Sequence, residues 1–179
     1  MTKIPLPANT FSGEHAVLLT REQYDAQGLC TFEFWVKTAG GICQLIVPNQ
    51  QAVCFIRSKD LVDFLPLVEQ RKLPVMAKPV DMTSFTGEPC HALYSKSLQA
   101  YYALRKLASV AQVELLEDDI KPVDRYLMER FVKNELVFTG VLVDCQQVSY
   151  SRFEACRIKS ATTDQRASRI LSVDIECDE

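Results

Sequence analysis

LCTFEFWVKTAGGICQLIVP, residues 29–48, decides how this chain folds. Phe32, Phe34 and Val36 alternate with Glu33, Trp35 and Lys37. That period of two belongs to a strand with one buried face. Ala39-Gly40-Gly41 supplies a tight turn, and the apolar run 42–48 returns as a second strand. Outward from this hairpin the signals repeat. HAVLLTR (15–21) precedes it, and QAVCFIR (51–57) follows after a Pro-Asn-Gln turn. Four short strands on tight turns predict an antiparallel sheet able to curl into a small barrel.

The period then changes. SKDLVDFLPLVEQR (58–71) spaces Leu61, Phe64, Leu65 and Val68 as a helix does, with Ser58 as N-cap and a kink expected at Pro66. LPVMAKPV (73–80) is a further extended piece. From residue 89 strands and helices alternate. PCHALYS, QVELLE (112–117), LVFTGVLVDC (136–145) and RFEACRIK (152–159) read as strands, the third bent at Gly140. SLQAYYALRKLASV (97–110) is a helix with Leu98, Tyr101, Leu104, Leu107 and Ala108 as its apolar stripe. PVDRYLMERFV (122–132) is a helix opened by Pro122. The class is α+β. A small antiparallel β-sheet or barrel subdomain occupies 1–88, and a βαβαβ-like α/β sandwich subdomain occupies 89–165. A polar linker and a terminal strand follow at 166–179.

The 179 residues are 47% hydrophobic and 24% charged, enough for a folded core. A net charge of -3 excludes a cationic surface over the whole chain, though not a local patch. No apolar run approaches the roughly 20 residues of a membrane span. MTKIPLPANT lacks the apolar segment of a secretory signal. Seven cysteines at irregular spacing, with no CxxC, predict reduced core thiols in a cytoplasmic protein. His15 and His91 lie in strand-like stretches and are expected to be packed or hydrogen-bonded.

The chemistry-bearing signals are few. Asp174 and Glu176, in LSVDIEC, project from one face of a strand and can offer oxygen ligands to a divalent cation. A two-metal site needs further carboxylates. GxGxxG, Walker and GxSxG patterns do not occur. Glu117-Asp118-Asp119 reads as a solvated turn favouring the next helix start. Residues 152–169 carry Arg152, Arg157, Lys159, Arg166 and Arg169 against Glu154 and Asp164, a mild basic stripe able to meet a phosphate backbone or to stay solvated. Trp35, Tyr101, Tyr102 and Phe131 could stack on bases, but aromatics at such spacing more often belong to a core.

DRYLMERFV (124–132), followed about forty residues later by LSVDIEC, resembles the bacterial DNA polymerase II group of the family B DNA polymerases. VLLTR, FEFWV, VPNQQAVCFI, PCHALYSKSLQAYYALRKL, EDDIKPVDRYLMERF and CRIKS fall in that family's order. The resemblance implies a DNA-directed DNA polymerase acting in replication, repair and lesion bypass, with 3'-5' proofreading. It implies that this chain is its N-terminal domain, and that 166–179 hold a linker and the first strand of the exonuclease domain. Asp174 and Glu176 would be the first metal-binding acid pair there, taking Mg2+ or Mn2+. The later exonuclease acids and the polymerase aspartates are absent. The piece is therefore expected to be a catalytically silent scaffold that touches the single-stranded template and the rest of the polymerase. No small-molecule substrate and no membrane partner are expected. The basic residues Arg152, Arg157, Lys159 and Arg166 are the candidates for meeting DNA. A strand such as 171–177 would expose apolar surface if it ended the protein, so it is expected to continue or to pair. A stand-alone single-stranded nucleic-acid-binding module, or a protein-interaction module, is the competing reading.

Overall fold

A computed structural model of the chain describes residues 13–143 and 149–161. The hairpin that opens the sequence reading forms as β2 (Leu29–Thr38) and β3 (Gly41–Gln50), preceded by the long β1 (Glu14–Ala26). All three pair antiparallel. The two-residue turn between β1 and β2 needs positive φ at both positions, and Gln27 and Gly28 adopt 52° and 75°. Cys30, Phe32, Phe34 and Val36 alternate into the core, each no more than 1% exposed.

The next three strands, β4 (Ala52–Arg57), β5 (Val75–Thr83) and β6 (Pro89–Ser95), leave this sheet. They form an antiparallel sheet of their own in the order β4-β6-β5. Helices α1 (Ser58–Gln70), α2 (Leu98–Ala111) and α3 (Pro122–Met128) complete the middle of the chain. Then β7 (Glu135–Val143) and β8 (Ser151–Ser160) return and close a barrel, β1-β2-β3-β8-β7. β3 and β8 run parallel; the other barrel pairs are antiparallel. Counted by barrel strand the order is 1-2-3-5-4, the five-stranded Greek-key arrangement of an OB-fold. Residues 52–132 are thus an insertion between the third and fourth barrel strands.

One face of β1 makes several of the ties between insertion and barrel, beside the Cys30 amide of β2, which donates to the Lys96 carbonyl at 2.8 Å. Arg21, Gln23 and Asp25 alternate along β1 and so point the same way. Asp25 accepts from the Leu98 and Gln99 amides at 2.7 and 2.9 Å, two of the donors left unpaired at the start of α2. Ser97 takes the Ala100 amide at 3.1 Å. Gln23 Oε1 accepts from the Val123 amide at 3.0 Å, and Arg21 donates to Asp124. α3 then presses Val123, Tyr126 and Leu127 into the mouth of the barrel, all three buried. The Tyr126 ring lies 5.4 Å from Phe32 and 5.8 Å from Phe34. These spacings allow the offset and edge-on contacts that aromatic rings favour.

The α+β class and the small barrel agree with the sequence reading; several local expectations do not. Strand 51–57 belongs to the second sheet, and strands 136–145 and 152–159 close the first, so the two sheets do not divide at residue 88. QVELLE makes only an isolated bridge, Phe55 to Leu116. Ser58 is the first residue of α1 rather than its cap: the cap is Arg57, without a side-chain bond, and the Ser58 hydroxyl meets His91 Nδ1 at 2.9 Å. α1 continues through Pro66. α3 stops at Met128, short of the expected 132. His15 faces Glu135 at 3.3 Å across the β1–β7 seam. Cys30, Cys43, Cys54, Cys90 and Cys156 are buried free thiols. Burial pushes Cys30, Cys54 and Cys156 up to about 12, which keeps them protonated and unreactive.

Candidate nucleic-acid interface

α3 places the side chains of the site. Its apolar residues at positions i, i+3 and i+4 face the barrel, which leaves Arg125, Glu129 and the following Arg130 on its flanks. Arg130 lies flat on the buried Tyr126, its guanidinium 3.5 Å from the ring centroid, and donates to the Tyr126 carbonyl at 3.0 Å. Glu129 stands 3.7 Å from it. Burial raises the Tyr126 phenol above its ordinary pKa, so the ring beneath Arg130 is neutral. Arg125 pairs with Glu117, lies 5.1 Å from the Phe55 ring centroid, and reaches Glu129 at 4.0 Å.

Two cavities meet on this helix. One, of about 430 Å³, is bordered by the end of β3 (Asn49, Gln50) with Lys96, Arg125, Tyr126 and Arg130. The other, of about 560 Å³, continues over β8 past Arg157 and Lys159. They share Gln50, Tyr126, Glu129 and Arg130, and so form one groove along the barrel rim. Five cations line it, Lys96, Arg125, Arg130, Arg157 and Lys159, against one carboxylate, Glu129. Among the described residues Lys96, Arg157 and Lys159 form no ion pair. A chain of net charge -3 thus concentrates unneutralised positive charge in one trough.

Of the basic residues singled out in the sequence, Arg157 and Lys159 come together here. Arg152 does not: it pairs with Glu154 at 3.0 Å and is in register with Gln44 on the barrel's outer wall. Beside it Trp35 donates to Glu33 at 2.7 Å and contacts Tyr150, ring centroids 4.7 Å apart. Arg166, Asp174 and Glu176 lie outside the described residues, as do the linker and the terminal strand. The acidic run is not merely solvated, since Glu117 holds Arg125 and Asp118 holds Arg105. Tyr101 is fully buried and donates to the Asp118 carbonyl. The sequence reading missed Lys96, Arg125 and Arg130. The Tyr126–Arg130 spacing of four was the available signal, but it gains meaning only once β3 and β8 stand opposite α3.

No family model matches the chain. It is 28% identical to the DNA polymerase II of Escherichia coli (strain K12) over 123 residues, which is 69% of this chain and 16% of that protein. The chain is similar in sequence to part of a DNA polymerase II. Its fold is similar to that in the structure of the family B DNA polymerase from the hyperthermophilic archaeon Pyrobaculum calidifontis, with a TM-score of 0.56 and 16% identity. That likeness covers 78% of this chain and 19% of the archaeal one. The chain therefore spans less than a fifth of either polymerase. α3 and both walls of the groove fall within the part of the chain that carries its own fold, from β1 through β8.

Proposed function

We propose that this chain serves as the N-terminal, DNA-contacting part of a family B DNA polymerase, and that the groove along α3, the end of β3 and β8 carries single-stranded template. The observation that carries this reading is the groove's charge. Five cations line the rim of an OB-type barrel, and three of them, Lys96, Arg157 and Lys159, form no ion pair among the described residues, in a chain similar to part of a DNA polymerase. Phosphate neutralisation dominates the affinity of proteins for nucleic acid, and OB barrels are a recurrent platform for it. The groove offers contact and positioning, so the 179 residues alone are proposed to be catalytically silent. In a longer, cytoplasmic polypeptide, Asp174 and Glu176 would join further acids in a 3'-5' exonuclease site. Their donor set of two hard carboxylates suits Mg2+ or Mn2+, which would activate water there.

The test is the affinity of the chain for fluorescein-labelled (dT)20, measured by anisotropy across a salt series. Binding is expected to weaken linearly with log salt. The double variant Arg157→Ala, Lys159→Ala is expected to bind more weakly and to lower the slope by about 1.4, roughly 0.7 per lost phosphate contact on a single strand. An unchanged slope in that variant would remove the groove from the DNA path. No binding by the wild-type chain at low salt would remove DNA contact from its role.

A further inference from the structure

Where a chain leaves a helix it commonly passes through a left-handed residue, and glycine takes that position at least cost. After α3 the position is held by Phe131, at φ 54°. The turn itself is well made. The Phe131 amide donates to the Met128 carbonyl and the Val132 amide to the Leu127 carbonyl, both at 3.0 Å. Val132, next along, is 7% exposed and completes the apolar contact that such turns usually bury. Phe131 is 83% exposed. The backbone thus pays for a bulky side chain in a conformation that disfavours one, while little of that side chain is buried.

The ring's surroundings show what it meets. Arg130, which lines the groove, precedes it, and Lys133, which forms no ion pair among the described residues, follows two positions on. Met128, three residues earlier, is 60% exposed and widens the apolar spot. Phe131 does not line either cavity, but an exposed aromatic that directly follows a lining cation, with a second cation two positions on, matches a strand whose bases are free to stack and whose phosphates are free to pair. Duplex DNA offers the phosphates but keeps its bases stacked internally. We propose that Phe131 is a base-stacking residue at the lip of the groove, and that it selects single-stranded over duplex nucleic acid. The inference rests on the reading of the groove as a DNA path and adds to it the form of the strand.

Phe131→Gly tests it, because stability and binding should move in different directions. Glycine suits the left-handed position, so the melting temperature is expected to hold or rise. Affinity for (dT)20 is expected to fall roughly fivefold or more, the loss of one stacked base. The salt slope should stay at the wild-type value, since no charge is removed. Phe131→Trp is expected to retain affinity. A hairpin duplex of equal phosphate number should bind wild type and Phe131→Gly alike. If Phe131→Gly binds (dT)20 as wild type does while the Arg157, Lys159 double variant is weakened, the stacking role is wrong and the groove stands. If affinity falls together with melting temperature or salt slope, the ring is structural and the inference is overturned. If wild type binds neither probe, the groove reading falls and takes this inference with it.

Discussion

Gly140→Val is expected to destabilise the protein by about 3 kcal/mol or more, the upper end of what overpacking a core costs. The reason lies in how β7 and β8 meet. β7 alternates Leu136, Phe138 and Gly140 toward the barrel interior, and its register against β8 shifts between Thr139 and Val141. On β8 the matching irregularity is Ala155, at φ 50°. The displaced strand brings Cys156 over Gly140. A Cβ at Gly140 would lie 2.7 Å from Cys156 Sγ and 3.2 Å from both the Glu154 carbonyl oxygen and Phe153 Cβ. Two of these neighbours are backbone or the first side-chain atom of a paired strand and cannot swing aside, and turning Cys156 Sγ away would leave both in place. Valine adds two methyl groups to a space already short for one carbon. Folded proteins hold a margin of only about 5–15 kcal/mol, so the loss is large. Urea denaturation followed by circular dichroism should show a midpoint far below wild type with little change in slope. A midpoint within a few tenths molar of wild type would mean that the seam closing the barrel is looser than this geometry.

Tyr126→Ala is expected to cost about 3–5 kcal/mol, as large-to-small changes of buried aromatics do. Tyr126 is 6% exposed, meets Phe32 edge-on and Phe34 at a shallow tilt, and is the largest side chain that α3 sets into the barrel mouth. Its removal also takes away the surface on which Arg130 lies. Two losses should therefore appear together: a lowered unfolding midpoint, and a weaker grip on (dT)20 under conditions where the variant is still folded. Tyr126→Phe keeps the ring and the Tyr126 carbonyl to which Arg130 donates, and should retain most of both, losing only what the hydroxyl's bonds to Arg130 and the Ile158 backbone contribute. Full stability in Tyr126→Ala would show that α3 does not plug the barrel.

How much of this was legible in the sequence follows from which interactions are local. The alternation Phe32, Phe34, Val36 fixes a strand face whatever pairs with it, and the helical stripe Leu98, Tyr101, Leu104, Leu107, Ala108 fixes a helix face; all are buried as read except Leu107, which is half-buried at the edge of the stripe. Strand partnership is not local. Residues 136–143 carry the same apolar alternation whether they join the second sheet or return to the first. The return is selected by the fit of Gly140 under Cys156 and by the parallel pairing of β3 with β8. Ser58 looks like a cap because serine often is one, but a histidine 33 residues away competes for its hydroxyl. The basic groove shows the same limit. Arg157 and Lys159 were visible as part of a stripe, whereas Lys96, Arg125 and Arg130 are scattered in sequence and meet only through the insertion at the barrel mouth. Phe131 was visible as an aromatic, and its position favoured a core residue; the left-handed turn after a shortened α3 turns it outward. The acidic pair Asp174 and Glu176 drew attention from spacing alone and lies outside the described residues.

The central claim is that single-stranded DNA runs along the groove between α3, the end of β3 and β8. Hydrogen exchange of the wild-type chain with and without saturating (dT)20 tests it most directly, read peptide by peptide at low salt. Protection is expected in peptides covering residues 47–50, 122–133 and 156–160, with the outer barrel wall around Trp35 and Arg152 unchanged. Protection confined to that outer wall, or to the β5–β6 hairpin, with none along α3 and β8, would contradict it.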